Sequence, residues 1–145
     1  MGIISGGKVI EGATLPDGGD LLYEYDFAVD GGAVGTINLR GLNGTGQVPN
    51  GFVVLDSVVE VLTIPTSGGS ATIAVQANAA NDVVNAAAIS GAPWSTTGRK
   101  AGIPVAAASS IKMTADRNVA IVVAVAALTA GKFLVRLSGY DATRS

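Results

Sequence analysis

From Phe52 to Ile64 the chain reads Phe-Val-Val-Leu-Asp-Ser-Val-Val-Glu-Val-Leu-Thr-Ile, a β-branched run with no glycine or proline inside it. Val53, Leu55, Val59 and Val61 line one face of an extended strand, and Asp56 and Glu60 fall on the other. Pro65 to Gly69 predicts its end. A chain built around such a segment must supply partner strands, and the rest of the sequence offers them. Tyr23, Tyr25, Phe27 and Val29 alternate with Glu24, Asp26 and Ala28, and Asp30-Gly31-Gly32 follows as a turn. Val34 to Arg40 is a second strand, with Ile37 and Leu39 on one face. Asn43 to Gly46 and Pro49 to Gly51 are loop chemistry. Ser70 to Ala77 resumes the alternation, with Ile73 and Val75 inward and Thr72 and Gln76 outward.

The middle of the chain reads differently. Asn81 to Ser90 is alanine-rich with Asp82 near its start, which predicts a short helix. Gly91 to Gly102 reads as a surface loop holding Trp94. A short strand is expected around Ile111 to Thr114, and Asp116 to Asn118 is a turn. Val119 to Leu128 and Phe133 to Tyr140 are two further strands, joined by Thr129-Ala130-Gly131 as a three-residue hairpin. Short strands at roughly regular spacing predict an all-β fold, an antiparallel β-sandwich or jelly-roll-like single domain over residues 21–145. A chain of 145 residues fits one domain. Residues 1–20, rich in glycine yet carrying Ile3, Ile4, Val9 and Ile10, read as an extended N-terminal arm, or else as an edge strand and loop of the same domain. Pro16-Asp17-Gly18-Gly19 is turn chemistry within it.

Composition narrows the function classes. There is no Cys and no His, so thiolate chemistry, imidazole metal ligation and the Ser-His-Asp or Cys-His arrangements are excluded. Eleven acidic against nine basic residues give a formal charge of −2, and no interleaving of basic and aromatic residues marks a nucleic-acid surface; Arg99-Lys100 and Arg117 stand isolated. The uncharged stretch from Asn118 to Gly131 falls short of the roughly 20 residues of a spanning helix. The N-terminus has no basic region ahead of an apolar core, so no secretory signal is expected.

Each candidate for chemistry has a plainer reading. Glu24 with Asp26, and Asp56 with Glu60, are carboxylate pairs of the kind glycosidases use, and they also suit the solvated side of a strand. Asp17, Asp20, Asp26 and Asp30 sit beside glycines, without the spacing of a calcium loop. Gly41 to Gly46 is glycine-rich without phosphate-loop spacing, and Ser110 with Lys112 is a spacing that chance supplies. No catalytic residue, metal ligand or cofactor is expected.

Three stretches carry a resemblance. They are Tyr25-Asp-Phe-Ala-Val-Asp-Gly-Gly-Ala-Val-Gly-Thr36, then Val58 to Val61 with Ile64-Pro-Thr-Ser-Gly-Gly-Ser-Ala-Thr-Ile73, then Met113 to Val119 with Ala127 to Lys132. Across residues 23–140 the chain resembles small β-rich virion proteins of tailed bacteriophages, often capsid decoration (cement) proteins. The resemblance implies a non-enzymatic protein on the virion capsid surface, assembled in the host bacterial cytoplasm. Its partners would be the major capsid protein and itself, as a homotrimer, with no nucleic acid and no membrane. Ile3, Ile4, Val9 and Ile10 of the arm are the candidate interface residues, joined by Trp94, since interface hot spots favour tryptophan. Trp94 reads also, and more readily, as a lid over one end of the sandwich core. Another virion component (tail, neck or head fibre) and a carbohydrate-binding sandwich are the alternatives; the second needs an exposed platform from Tyr23, Tyr25, Trp94 and Tyr140.

Overall fold

A computed structural model describes residues 20–142, so the arm residues Ile3, Ile4, Val9 and Ile10 lie outside the described residues. The strands are β1 (Asp20–Asp26), β2 (Gly35–Asn38), β3 (Arg40–Gly41), β4 (Phe52–Ser67), β5 (Thr72–Gln76), β6 (Val84–Ala88), β7 (Gly98–Ala101), β8 (Ile111–Lys112), β9 (Ala120–Ala124) and β10 (Leu128–Asp141). A one-turn helix, α1 (Phe27–Asp30), follows β1. One sheet runs β3-β1-β10-β4-β7, with β8 also on β4, and the other runs β2-β9-β5-β6; every pairing is antiparallel. The orders β1-β10-β4-β7 and β2-β9-β5-β6 interleave early and late strands as a jelly roll does, and the sandwich expected from the alternation is present.

Period two explains which side chains fill the space between the sheets. Leu21, Tyr23 and Tyr25 of β1, Phe133, Val135 and Leu137 of β10, Ile73 and Val75 of β5, and Ile121 and Val123 of β9 are all buried. The two tyrosines keep their hydroxyls satisfied: Tyr23 donates to the Gly46 carbonyl at 2.7 Å and Tyr25 to that of Gly31 at 2.6 Å.

Burial pushes both tyrosine hydroxyls up, that of Tyr25 to about 12, with the Asp30 and Asp26 carboxylates adding to the effect. Below the ordinary value of 10.0 both residues are protonated in the folded and unfolded chain alike. Above it the unfolded chain releases protons that the folded chain holds, so stability is lost as pH rises. Urea midpoints on either side of pH 10 are expected to fall with increasing alkalinity, and to recover in Tyr25→Phe.

Four local expectations are corrected. Thr129-Ala130-Gly131 is no hairpin: Leu128 and Ala130 pair with Ser67 and Thr66 inside β10. The reversal occurs at 125–127, where the chain crosses from β9 in one sheet to β10 in the other. The stretch from Asn81 to Ser90 holds a strand between turns, not a helix. Val84 to Ala88 pairs with β5, and Asp82 accepts the backbone N–H groups of Ala77, Asn78 and Ala79 at 2.8, 2.9 and 2.8 Å, which fixes a tight turn. The expected strand from Val34 to Arg40 splits between the sheets at Leu39, with β2 on β9 and β3 on β1. Val29 leaves the inward face of β1 because Asp26 ends the strand, its carboxylate accepting from the Ala28 N–H at 3.0 Å.

β4 also departs from the expected faces. Phe52, Val53 and Val54 are all buried at one end, Val53 the least of the three, while Ser57, Val59 and Val61 are buried further on. The parity changes at a β-bulge: Ser138 pairs with Asp56 but Gly139 pairs with Val54, leaving Leu55 as the extra residue. The strand also runs on through Pro65 to Ser67.

Candidate functional site

Most of the candidate carboxylates are held in ion pairs or turns. Arg40 Nε and NH2 donate to the two Asp30 carboxylate oxygens at 3.0 and 3.2 Å, and its NH1 donates to Glu24 at 3.0 Å. Those contacts hold the guanidinium well above its ordinary range, the Asp30 hydrogen bonds being the largest cause. Lys132 lies 3.6 Å from Glu24 and 4.0 Å from Asp26. The Glu24–Asp26 pair and the Asp26–Asp30 stretch therefore form one ion network that fastens α1 to β1, β3 and β10.

Asp20 is held below the ordinary carboxylate range, first by the Ser138 hydroxyl at 2.7 Å and then by Arg136 at 2.8 Å. Glu60 faces Arg99 at 3.9 Å, and Asp56 is exposed beside the Leu55 bulge. Ser110 donates to the Ala107 carbonyl at 2.8 Å in a short 3-10 turn, not to Lys112. The Gly41–Gly46 loop closes on itself, Thr45 N–H bonding the Leu42 carbonyl at 3.0 Å. Among the described residues no group of three acidic side chains is set to hold a metal, and no helix is long and apolar enough to cross a membrane.

Trp94 is fully buried, and this removes it from the interface residues expected from the sequence. Its ring centroid lies 4.7 Å from that of Phe133, and its Nε1–H donates to the Ile73 carbonyl at 3.2 Å. With Tyr23 and Tyr25 also buried, Tyr140 is the one exposed member of the aromatic set that a sugar platform would need.

Two places on the surface stand out. The first is the tip where segments 29–34, 67–70 and 124–128 converge. Leu128 N–H bonds the Gly32 carbonyl at 2.8 Å, Ser67 Oγ bonds the Ala127 carbonyl at 2.6 Å, and a Cβ on Gly69 would lie 2.9 Å from that of Ala126. Val125, Val29 and Val34 stand out there at 73%, 64% and 57% exposure, and Gly31–Gly35, Ser67–Ala71 and Ala124–Leu128 carry no charged side chain. Val125 also has φ +74, a conformation that costs a β-branched residue of order 1–3 kcal/mol. Val125→Gly is accordingly expected to raise stability by about 1 kcal/mol in urea titrations, since it relieves that strain and uncovers no core.

The second place is the open side of the sandwich, where β6 ends one sheet and β7 the other. A shallow groove of about 430 Å³ lies between them, lined by Val83, Ala87, Pro93, Lys100 and Ile103 among others. Gly102 N–H bonds the Ser57 carbonyl at 3.0 Å. Hydrogen-bonded pairs alternate in an antiparallel ladder, so Lys100 and Gly98 bond to β4 while Arg99 and Ala101 turn their backbone N–H and C=O groups outward. The same register puts the Lys100 side chain on the inner face, opposite buried Val59. Its ammonium meets the Thr96 carbonyl and, among the described residues, no carboxylate. Nothing in the sequence marks this edge, because Arg99-Lys100 becomes an edge only once β4 is its one partner among the described residues.

No protein-family model matches the chain, and no curated protein matches it. Among solved structures, a chain of the acid-stable capsid structure of Helicobacter pylori bacteriophage KHP30 is similar to it, with a TM-score of 0.55 and 15% identity. The match covers 83% of this chain and 85% of that one. At this identity the two share their fold, a nearly complete β-sandwich laid over another.

Proposed function

We propose that this chain is a non-enzymatic decoration (cement) protein of a tailed-phage head, binding the lattice of the major capsid protein and stabilising the shell. The likeness of fold to a chain in a phage capsid structure supports this reading most directly; fold alone does not carry function, and the residues add their own support. Glu24, Asp26, Asp30, Glu60 and Lys132 are engaged in ion pairs, and Asp82 holds a turn. The surface also offers a tip of exposed valines whose one carboxylate, Asp30, is paired with Arg40, of the kind that association buries. Many modest contacts on a repeating lattice add up to firm retention. In this reading the arm residues Ile3, Ile4, Val9 and Ile10 contact the shell or a neighbouring subunit, and the protein acts as a homotrimer.

The test is addition of the purified protein to phage heads that lack it. Co-sedimentation at a copy number matching the shell lattice, with retention of packaged DNA to higher temperature, is the expected result. Failure to bind heads, or occupancy restricted to one vertex, overturns the reading; the second outcome points to a neck, tail or fibre component.

A further inference from the structure

The sequence holds two Asn-Gly steps, Asn43-Gly44 and Asn50-Gly51, and the fold treats them in opposite ways. We propose that Asn43 is a site of self-modification, converting to aspartate and isoaspartate in the folded protein, while Asn50 is protected. The site stands on the geometry of two turns, apart from any role on a virion.

The chemistry needs only water. The Gly44 nitrogen, once its proton is lost to solvent base, attacks the side-chain amide carbon Cγ of Asn43. A C–N bond forms there, the bond from Cγ to Nδ2 breaks, and ammonia leaves with a proton from solvent. The product is a five-membered cyclic imide. Water then opens the ring at either carbonyl. Opening at Cγ gives aspartate; opening at the former backbone carbonyl leaves Gly44 attached through Cγ, which is isoaspartate. In sum, the asparagine amide and one water become a carboxylic acid and ammonia. A following glycine favours ring closure because no Cβ crowds the attacking nitrogen, and asparagine is thermolabile for this reason.

A folded chain permits the reaction where the nitrogen is unbonded, the side-chain amide is unbonded and the backbone can turn. Asn43 meets all three conditions. Asn43 and Gly44 are exposed, at φ +57 and +79, as the central pair of a turn that Thr45 N–H closes on the Leu42 carbonyl at 3.0 Å. Among the described residues, neither the Gly44 N–H nor the Asn43 side-chain amide has a hydrogen-bond partner. The loop is anchored outside this pair, by Leu42 N–H on the Leu22 carbonyl at 2.9 Å and by the Tyr23 hydroxyl on that of Gly46. One exposed turn can open while those anchors hold.

Asn50 fails the first and third conditions. Gly51 is buried, and its N–H donates to the Met113 carbonyl at 3.0 Å. Its own carbonyl accepts the Ala142 N–H at 3.0 Å, and Phe52 N–H bonds the Pro49 carbonyl at 3.1 Å. Asn50 N–H is held by the Asp116 carboxylate at 2.7 Å. Freeing the Gly51 nitrogen therefore means pulling apart the start of β4, beside buried Phe52. At Asn43, by contrast, each event adds a carboxylate to a loop, Gly41 to Gly46, that carries no charge.

Purified protein is held at mildly alkaline pH, folded and in strong urea, until half of the Asn43 peptide in urea has reacted. Peptide mass spectrometry reads the amide-to-acid mass gain at each asparagine, and enzymatic methylation of isoaspartate identifies the product. In urea the two steps are expected to react at similar rates, since both are Asn-Gly. In the folded chain Asn43 is expected to react at least tenfold faster than Asn50. Asn43→Gln would need a six-membered imide, so it should remove the methylated product and leave the Asn50 peptide as it was. Equal rates in the folded chain, faster reaction at Asn50, or an intact Asn43 when its urea control has reacted overturns the proposal.

Discussion

Trp94→Ala is expected to lower the unfolding free energy by about 3–5 kcal/mol, a large part of the total for a domain of this size. The indole is fully buried and packs between the sheets against Phe133, itself buried and 5.1 Å from Tyr25 by ring centroid. Truncation leaves a cavity that rigid strands on both sides cannot close. It also strips the Ile73 carbonyl of its indole donor in a buried setting, which adds a cost beyond lost packing. The urea midpoint should fall with the slope unchanged. Trp94→Phe keeps most of the volume and loses the donor, so it should cost about 1–2 kcal/mol. A Trp94→Ala protein as stable as the parent would mean that the indole is not the plug of this core.

That tryptophan shows where sequence reading stops. Its surroundings, Pro93 before it and Ser-Thr-Thr-Gly after it, are loop residues, and local polarity cannot reveal that the loop folds back over a sheet. The faces of β1 and β5 were legible because alternation is a local property that burial then respects. Sheet membership was not. Val119 to Leu128 and Phe133 to Tyr140 are adjacent in sequence and both strand-like, which suggests a hairpin, yet β9 finds its partners in β2 and β5. The alanines of β6 have no strong preference of their own, and pairing with β5 overrode the helical one.

The surface follows the same division. An edge exists only relative to a sheet order, so the place of β7 at the end of its sheet could not be read from Arg99-Lys100 or Ala101 in isolation. The exposed valines at the tip were hidden for a related reason. Val29 and Val34 continue apolar alternations in the sequence, and only the Asp26 cap and the crossing at Leu39 turn them out of the core. The arm was conspicuous by composition, since glycine mixed with isoleucine suits neither a core nor an ordinary tail.

Gly139→Ala is expected to cost about 3 kcal/mol or more, the upper end for overpacking. A Cβ there would stand 1.7 Å from the Val53 carbonyl oxygen, 2.8 Å from its carbon and 3.2 Å from the Leu55 nitrogen. These are backbone atoms in the longest ladder of the fold, β10 against β4, so no side chain can swing aside to make room. One escape is for the two strands to part, which breaks ladder hydrogen bonds next to buried Phe52 and Val54. The other is for β4 to expel its Leu55 bulge. Since strand faces alternate, that slip would turn Phe52 and Val54 to solvent and bring Val53 and Leu55 inward, exchanging a phenylalanine for smaller groups in a filled core. Gly46→Ala is the matched control, because nothing lies within 4 Å of its Cβ position; it should stay within about 0.5 kcal/mol of the parent. Urea titration of the two variants side by side separates a steric requirement at the bulge from a general cost of losing glycine. Equal stability of the pair would show that β10 and β4 tolerate a methyl between them, and that the close approach at Gly139 is not what fixes the bulge.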